Sequence, residues 1–359
     1  MSPTHPTLSR ALAFCATIGI RVPILGAPTA GACPPSLAIA IANAGGLGAC
    51  GALLMPPEAI REWVAETRAA TNGGFQLNLW IPDPAPVRNQ AAEDAVRNFL
   101  GRWGPEVARD AAERRPPDFS QQCEAMLELR PVVISSIMGI YPPAYVTRMK
   151  ALGIRWFATV TTVADAKIAA NAGADAIVAQ GMEAGGHRGA FAAAKAEAEL
   201  VGLFALLPQV VDAVDVPVIA TGGIADARGV AAALVLGASA VQIGTGFLRS
   251  PEAKLPPAWA DAIGSSFPEQ TMLTRAFSGR AGRAIATAYA RAAGGTDAPP
   301  PAPYPVQRGL TQAMRAAAVK SNDIDRIQAW AGQSGRLARP LPAGAFVHQL
   351  WEGAQSILR

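Results

Sequence analysis

The chain has 359 residues, half of them hydrophobic and 16% charged, with 35 glycines and 30 prolines. It is longer than the ~250–300 residues at which a single core stops growing, so one large domain and a smaller one are expected; a disordered tail, a coiled coil and a disulfide miniprotein are excluded. Lys plus Arg number 31 against 27 Asp plus Glu, a net +4 with no basic block, which argues against nucleic acid or a membrane surface as partner.

Eight short apolar runs recur along the chain, at 22–26 (VPILG), 46–50 (GLGAC), 75–79 (FQLNL), 131–135 (PVVIS), 155–159 (RWFAT), 175–179 (DAIVA), 216–220 (VPVIA) and 238–243 (ASAVQI). Nearly continuous runs of this length are what parallel strands buried on both faces look like. Ala-rich helical segments lie between them at 35–44, 57–71, 142–152, 163–172, 200–214 and 225–236, with Pro or Asp near several starts and Gly after several ends. Eight alternations favour a closed α/β barrel, a (β/α)8 TIM barrel, over an open sheet. The barrel is expected to occupy residues 1–250, elaborated at 82–129, where Pro82, Pro84 and Pro86 open a charged helical stretch. Residues 251–341, with a Pro-rich loop at 299–305, read as a smaller, mostly helical lobe, and 342–359 as a C-terminal helix.

Cys15, Cys33, Cys50 and Cys123 form no C-x-x-C pair and have no histidine at zinc-finger spacing, so they read as thiols in a reduced protein, and no metal is expected. Residues 11–20 follow Arg10 like a short signal core, but Arg21 and Pro23 close the run. The uncharged stretch 229–248 is broken by Gly237, Ser239, Gln242 and 244–246 (GTG). Both are expected to be core of a cytoplasmic protein rather than membrane segments.

In such barrels chemistry sits at the carboxyl ends of the strands. Strand one runs into Ala27-Pro28-Thr29, strand three ends at Asn78, strand four reaches Ser135-Ser136, strand five Thr159 and Thr161, and strand six Gln180-Gly181. Strand seven gives Thr221-Gly222-Gly223 and strand eight Gln242-Ile243-Gly244-Thr245. Glycines after the last two strands let backbone N–H groups approach an anion, and a helix starting at Ala225-Asp226 would add its dipole. This predicts a phosphate site; a G-x-G-x-x-G match at 46–51 follows a helix and overlaps a strand, the wrong context for a dinucleotide turn. One phosphate site with amide side chains nearby suits a mononucleotide such as FMN, or a sugar phosphate substrate. Of three histidines, His5 lies in the N-terminal tail and His348 in the last helix; His187 stands in the glycine-rich loop 181–189 (GMEAGGHRG) after strand six, where a neutral imidazole can take a proton from a carbon acid.

Several stretches resemble nitronate monooxygenases, formerly called 2-nitropropane dioxygenases: PILGAPTAG (23–31), NAGGLGACG (43–51), QLNLW (76–80), ATVTTVADA (158–166), GADAIVAQGMEAGGHRG (173–189), the run from VPVIATGG to GTGFL (216–248), FSGRAGRA (277–284) and AWAGQSGRLAR (329–339). The resemblance spans roughly 22–341 and implies an FMN-dependent TIM barrel that oxidises alkyl nitronates, such as propionate 3-nitronate, with O2 to a carbonyl compound and nitrite. It implies Pro28, Asn78, Gln180, Gly185, Gly222, Gly223, Gln242, Ile243, Gly244 and Thr245 at the cofactor, and His187 as the base that deprotonates neutral nitroalkanes. Arg280 and Arg283 are expected near the mouth, with Thr29, as substrate contacts. Two stretches depart from the family pattern: Thr29 stands where Met is usual, and 135–139 (SSIMG) where many members carry Ser-Phe-His-Phe-Gly. The same loop is similar to that of flavin-dependent NAD(P)H reductases of enoyl thioesters or quinones, and a non-enzymatic phosphate-binding scaffold is the third alternative. A monomer or homodimer is expected.

Overall fold

The computed structural model describes residues 6–359. In chain order the first half holds α1 (Pro6–Ile18), β1 (Ile24–Gly26), α2 (Pro35–Asn43), β2 (Gly48–Gly51), α3 (Pro57–Ala70), β3 (Phe75–Trp80), α4 (Gln90–Leu100), α5 (Phe119–Leu129), β4 (Val133–Ile137), α6 (Pro143–Ala151), β5 (Arg155–Val160), α7 (Val163–Asn171) and β6 (Ala176–Gln180). Next come β7 (Gly186–His187), α8 (Leu203–Val211), β8 (Val218–Thr221), α9 (Ala227–Val235) and β9 (Ala240–Ile243). Eight strands pair in parallel in the order β1-β9-β8-β6-β5-β4-β3-β2. The Gly26 N–H donates to the Leu47 carbonyl at 2.9 Å and the Leu47 N–H to the Ile24 carbonyl at 3.1 Å, which brings the first strand against the second and completes a TIM barrel.

Local chemistry explains the elements. Pro35, Pro57 and Pro143 open their helices where a missing N–H costs nothing, and Thr162 and Asp226 cap α7 and α9 through their side-chain oxygens. The glycines of 46–51 serve packing: a Cβ at Gly46 would run into the Ile24 carbonyl and one at Gly48 into the Ala38 carbonyl. The stretch 11–20 is no membrane segment. It supplies most of α1, whose Phe14, Cys15 and Ile18 pack against Leu25, Val133, Phe157, Val178 and Ile219 and plug one end of the barrel. Above this plug the interior turns polar, with Gln76 Nε2 donating to the Gly26 carbonyl and to Gln242 Oε1, each at 3.0 Å. All four cysteines are free and buried, and among the described residues no helix is long and apolar enough to cross a membrane.

After β9 the chain leaves the barrel through α10 (Pro257–Ser265), β10 (Thr271–Thr274), β11 (Gly282–Ile285), α11 (Ala288–Ala292), α12 (Val306–Leu310) and α13 (Gln312–Lys320), and returns in α14 (Ala343–Ile357). The excursion has its own core around Phe277, Tyr289, Leu310 and Trp330. It is not purely helical: β10, β11 and β7 form an antiparallel sheet, so the loop after β6 contributes a strand to the lobe. α14 packs back on the barrel against α9 and α2, joining Phe346, Val347 and Leu350 to the main core. It thus takes the place of the barrel's eighth helix, delayed by a long insertion.

Phe346 is 2% exposed and meets Phe247 edge-on at 5.4 Å. Phe346→Ala is expected to cost about 3–5 kcal/mol in urea unfolding, whereas His348→Ala, on the exposed face of the same helix, should stay within about 0.5 kcal/mol.

Candidate active site

A cavity of about 1200 Å³ opens over the carboxyl ends of the barrel strands, roofed by the lobe. The alternation of a strand points every second residue inward, so the exits of β3, β5, β6, β8 and β9 deliver Asn78, Thr159, Gln180, Thr221 and Gln242 to one space. Pro28, Thr29, Gly185, His187, Gly222, Gly223, Gly244 and Thr245 also line it. Ile243 does not: it lies one residue out of phase with Gln242 and is buried in the core outside the barrel wall.

Among the described residues, the backbone N–H groups of Gly222, Gly223, Gly244 and Thr245 donate to no protein acceptor. Gly222 and Gly223 hold φ of 113° and 69°, a conformation that suits glycine, and a Cβ at Gly223 would meet nothing closer than 3.5 Å. Open space beside unused N–H donors is a geometry that could accommodate an anion. The expected helix dipole adds little, because the Asp226 carboxylate already accepts the Gly229 N–H at 3.0 Å at the start of α9. Deeper in, the Asn78 Nδ2 donates to Ser135 Oγ at 3.0 Å, leaving Oδ1 free, and Gln242 Oε1 accepts from Gln76, leaving Nε2 free. One free acceptor and one free donor on the cavity floor fit the edge of a heterocycle that carries both.

His187 stands where barrel and lobe meet. Gln180 pins its loop with both ends of the amide, donating to the His187 carbonyl at 3.1 Å and accepting the Gly189 N–H at 2.8 Å. The buried Arg188 donates to the Gly181 carbonyl at 2.7 Å, and His187 pairs with Gly282 on β11. The imidazole lies edge-on between Trp80 and Trp330, each with its ring centroid 4.6 Å away, and Nε2 is 2.7 Å from Ser278 Oγ. Ser278, Trp80, Trp330, Tyr304 and Arg308 were not singled out in the sequence; QLNLW, FSGRAGRA and AWAGQSGRLAR contain three of them, but nothing local marks which residues of a lobe will face a barrel.

Similarities to known proteins bear on this geometry. A family model described as nitronate monooxygenase matches residues 13–353. A nitronate monooxygenase of Pseudomonas aeruginosa is 36% identical over 94% of this chain and 98% of its own length. The chain belongs to the nitronate monooxygenase family. Nitroalkane oxidase from Streptomyces ansochromogenes superposes with a TM-score of 0.87 at 33% identity, covering 97% of this chain and 100% of that one. FabK from Thermotoga maritima gives 0.75 at 28% identity, with 96% of each chain covered. The protein is therefore an oxidoreductase of a family that is flavin-dependent in general.

Against the family pattern, Thr29 lines the cavity and its hydroxyl makes only a long 3.4 Å bond to the Ala27 carbonyl. In the stretch 135–139 both serines are held inside the scaffold, Ser135 by Asn78 and Ser136 by Trp156 Nε1 at 3.0 Å. Ile137, where many members carry the histidine of that stretch, faces the cavity, so among the described residues His187 is the one imidazole lining it. Arg280 and Arg283 do not reach the cavity. Arg280 is buried against Asp83, at 3.1 Å, and the Ala190 carbonyl, and Arg283, on β11, is held by the Met182 carbonyl and Thr271 Oγ1. Both are structural ties, because a guanidinium forced to be buried takes whatever acceptors the fold supplies. His348 is exposed on α14, and His5 lies outside the described residues.

Burial, and then the charges of Arg308 and Arg280, push the His187 imidazole down to about 3 from 6.5. It is therefore neutral throughout the physiological range. Above pH 6.5 folded and unfolded chains both carry a neutral imidazole; below it the unfolded chain binds a proton that the fold refuses until about pH 3, so stability falls as pH drops through that window. Between pH 7 and pH 5 the native protein is expected to lose about 2 kcal/mol more than His187→Gln, read by urea unfolding at both pH values.

Proposed function

We propose that this protein oxidises alkyl nitronates, propionate 3-nitronate among them, with O2 to a carbonyl compound and nitrite, using FMN at the carboxyl end of the barrel. The observation that carries the reading is a neutral, rigidly held imidazole in the same cavity as an unused anion cradle and a free donor–acceptor pair. Family membership and the likeness to nitroalkane oxidase support it.

The N–H groups of Gly222, Gly223, Gly244 and Thr245 would hold the FMN phosphate, and Asn78 and Gln242 the polar edge of its ring, with Pro28, Gln180 and Gly185 bounding the space. Bound there, the flavin would supply the redox chemistry, an acceptor for electrons from the nitronate. His187 accepts the proton from the carbon bearing the nitro group, and the charge left on that carbon spreads onto the nitro oxygens. A base with so low a pKa works because proton transfer creates the anion beside it: the new negative charge offsets the arginine charges that disfavour the imidazolium. A preformed nitronate needs no such transfer. Trp80 and Trp330 clamp the ring, and Ser278 orients it.

The likeness to FabK favours a second reading, an NAD(P)H-dependent reductase of enoyl thioesters or quinones. Under argon, propionate 3-nitronate is expected to bleach the flavin rapidly, with nitrite appearing once air is admitted, whereas rapid bleaching by NADH or NADPH alone would select the reductase. His187→Asn is expected to retain FMN and to lose turnover of neutral nitroalkanes by about 10²–10⁴-fold, with far less effect on preformed nitronates. Equal losses on both substrates would remove His187 from proton transfer.

A further inference from the structure

Among the described residues the cavity lining contains four arginines, Arg114, Arg115, Arg308 and Arg315, and no aspartate, glutamate or lysine. None of the four stands near the glycine cradle in the barrel plan. Arg114 and Arg115 belong to the insertion after β3, the third barrel strand, while the cradle follows the seventh and eighth, on the opposite side of the ring. Arg308 and Arg315 hang from the roof on α12 and α13, which dock on that insertion: Gly309 sits so tightly on the Ala111 carbonyl that a Cβ would not fit, and Arg114 donates to Gln312 Oε1.

Of these guanidiniums, those of Arg308 and Arg315 meet no carboxylate among the described residues, while Arg114 and Arg115 stand exposed at the rim, Arg115 beside Glu113. Arg315 donates to the Arg308 carbonyl at 2.9 Å, to Thr311 Oγ1 at 3.1 Å and to Gln328 Oε1 at 3.3 Å, all neutral acceptors. The Arg308 guanidinium makes no hydrogen bond and no ion pair with any described residue, and none of its nitrogens is sealed from the cavity. The one carboxylate in reach is Glu113, 3.7 Å from Arg115 and shared with Arg88 at 3.0 Å. Burial lowers the pKa of Arg308, and burial together with the neighbouring Arg308 lowers that of Arg315 to about 9, the direction expected of like charges gathered without a counterion. A folded protein gathers positive charge in a cavity at a cost, which a bound anion offsets. Propionate 3-nitronate carries its two negative charges on separate ends, one on each group; a phosphate carries about two on one group and presents several oxygens to forked N–H donors.

We propose that Arg308, Arg315, Arg114 and Arg115 form a second anion subsite, across the mouth from the flavin cradle, which takes the phosphate group of a phosphate-bearing ligand whose other end lies toward His187. The subsite rests on the flavin reading only in that FMN is taken to fill the glycine cradle.

The test is calorimetric titration of the FMN-loaded protein with inorganic pyrophosphate, ADP and acetate, beside the variants Arg308→Gln and Arg114→Gln. Pyrophosphate and ADP should bind in the micromolar to submillimolar range with the flavin spectrum retained, acetate should not, and each variant should weaken binding about tenfold or more. Four outcomes overturn the subsite: no binding below about 10 mM, acetate binding as tightly as pyrophosphate, binding unaltered in both variants, or binding that releases FMN, which would report the glycine cradle instead. Nitronate bleaching of the native protein is measured separately, so its failure sinks the proposed reaction and leaves the subsite standing or falling on the titration.

Discussion

The site depends on one short segment that is tied at both ends and belongs to two substructures at once. Residues 181–189 leave the sixth barrel strand, and Gln180 at its last position uses its whole amide to hold the loop that follows. Arg188 anchors the same loop to Gly181 from inside. His187 then pairs with β11, so the imidazole is set by the barrel on one side and by the lobe on the other. A histidine on a free loop would pay rotamer entropy each time it met a substrate. This one is clamped between two indoles and a serine before any substrate arrives.

The second constraint is electrostatic. Burial first, and then the charges of Arg308 and Arg280, hold His187 neutral, beside a cavity that among the described residues is lined by arginines but by no carboxylate. The two effects support each other. In the proposed reaction a protonated histidine would be a poor base, and the anion left by deprotonation would be stabilised by the arginine charges that, after burial, disfavour the imidazolium. Where the fold buries a guanidinium away from the cavity, it spends the donors on carbonyls or on Asp83, as at Arg280 and Arg283; where it leaves them unspent, as at Arg308, the donors face the cavity.

Much of the barrel was legible because its signals are local. Short continuous apolar runs separated by Ala-rich segments with Pro starts and Gly stops follow from burial on both faces and from helix-end chemistry, and the observed strands fall within a few residues of the expected ones. Glycines after β8 and β9, the amides at strand exits and the glycine-flanked His187 were readable for the same reason: in this architecture a residue's place at a strand end fixes its place at the mouth. Ile243 shows the limit of that logic, since reading a whole strand end as site ignores the alternation that turns every second side chain outward.

What the amino-acid order determined by itself was the period, the caps, the run of polar exits and hence the barrel with glycine turns and a histidine at its mouth. What only the tertiary structure decided was the roof. The lobe's helices and its small sheet pair with segments far away in the chain, β11 with β7 and α12 with the insertion after β3. No local pattern says that α14, after so long an excursion, closes the barrel, that Arg308 faces the cavity while Arg280 and Arg283 do not, or that Trp330 meets His187. These contacts depend on the relative placement of two packed bodies, which arises from long-range burial rather than from spacing along the chain.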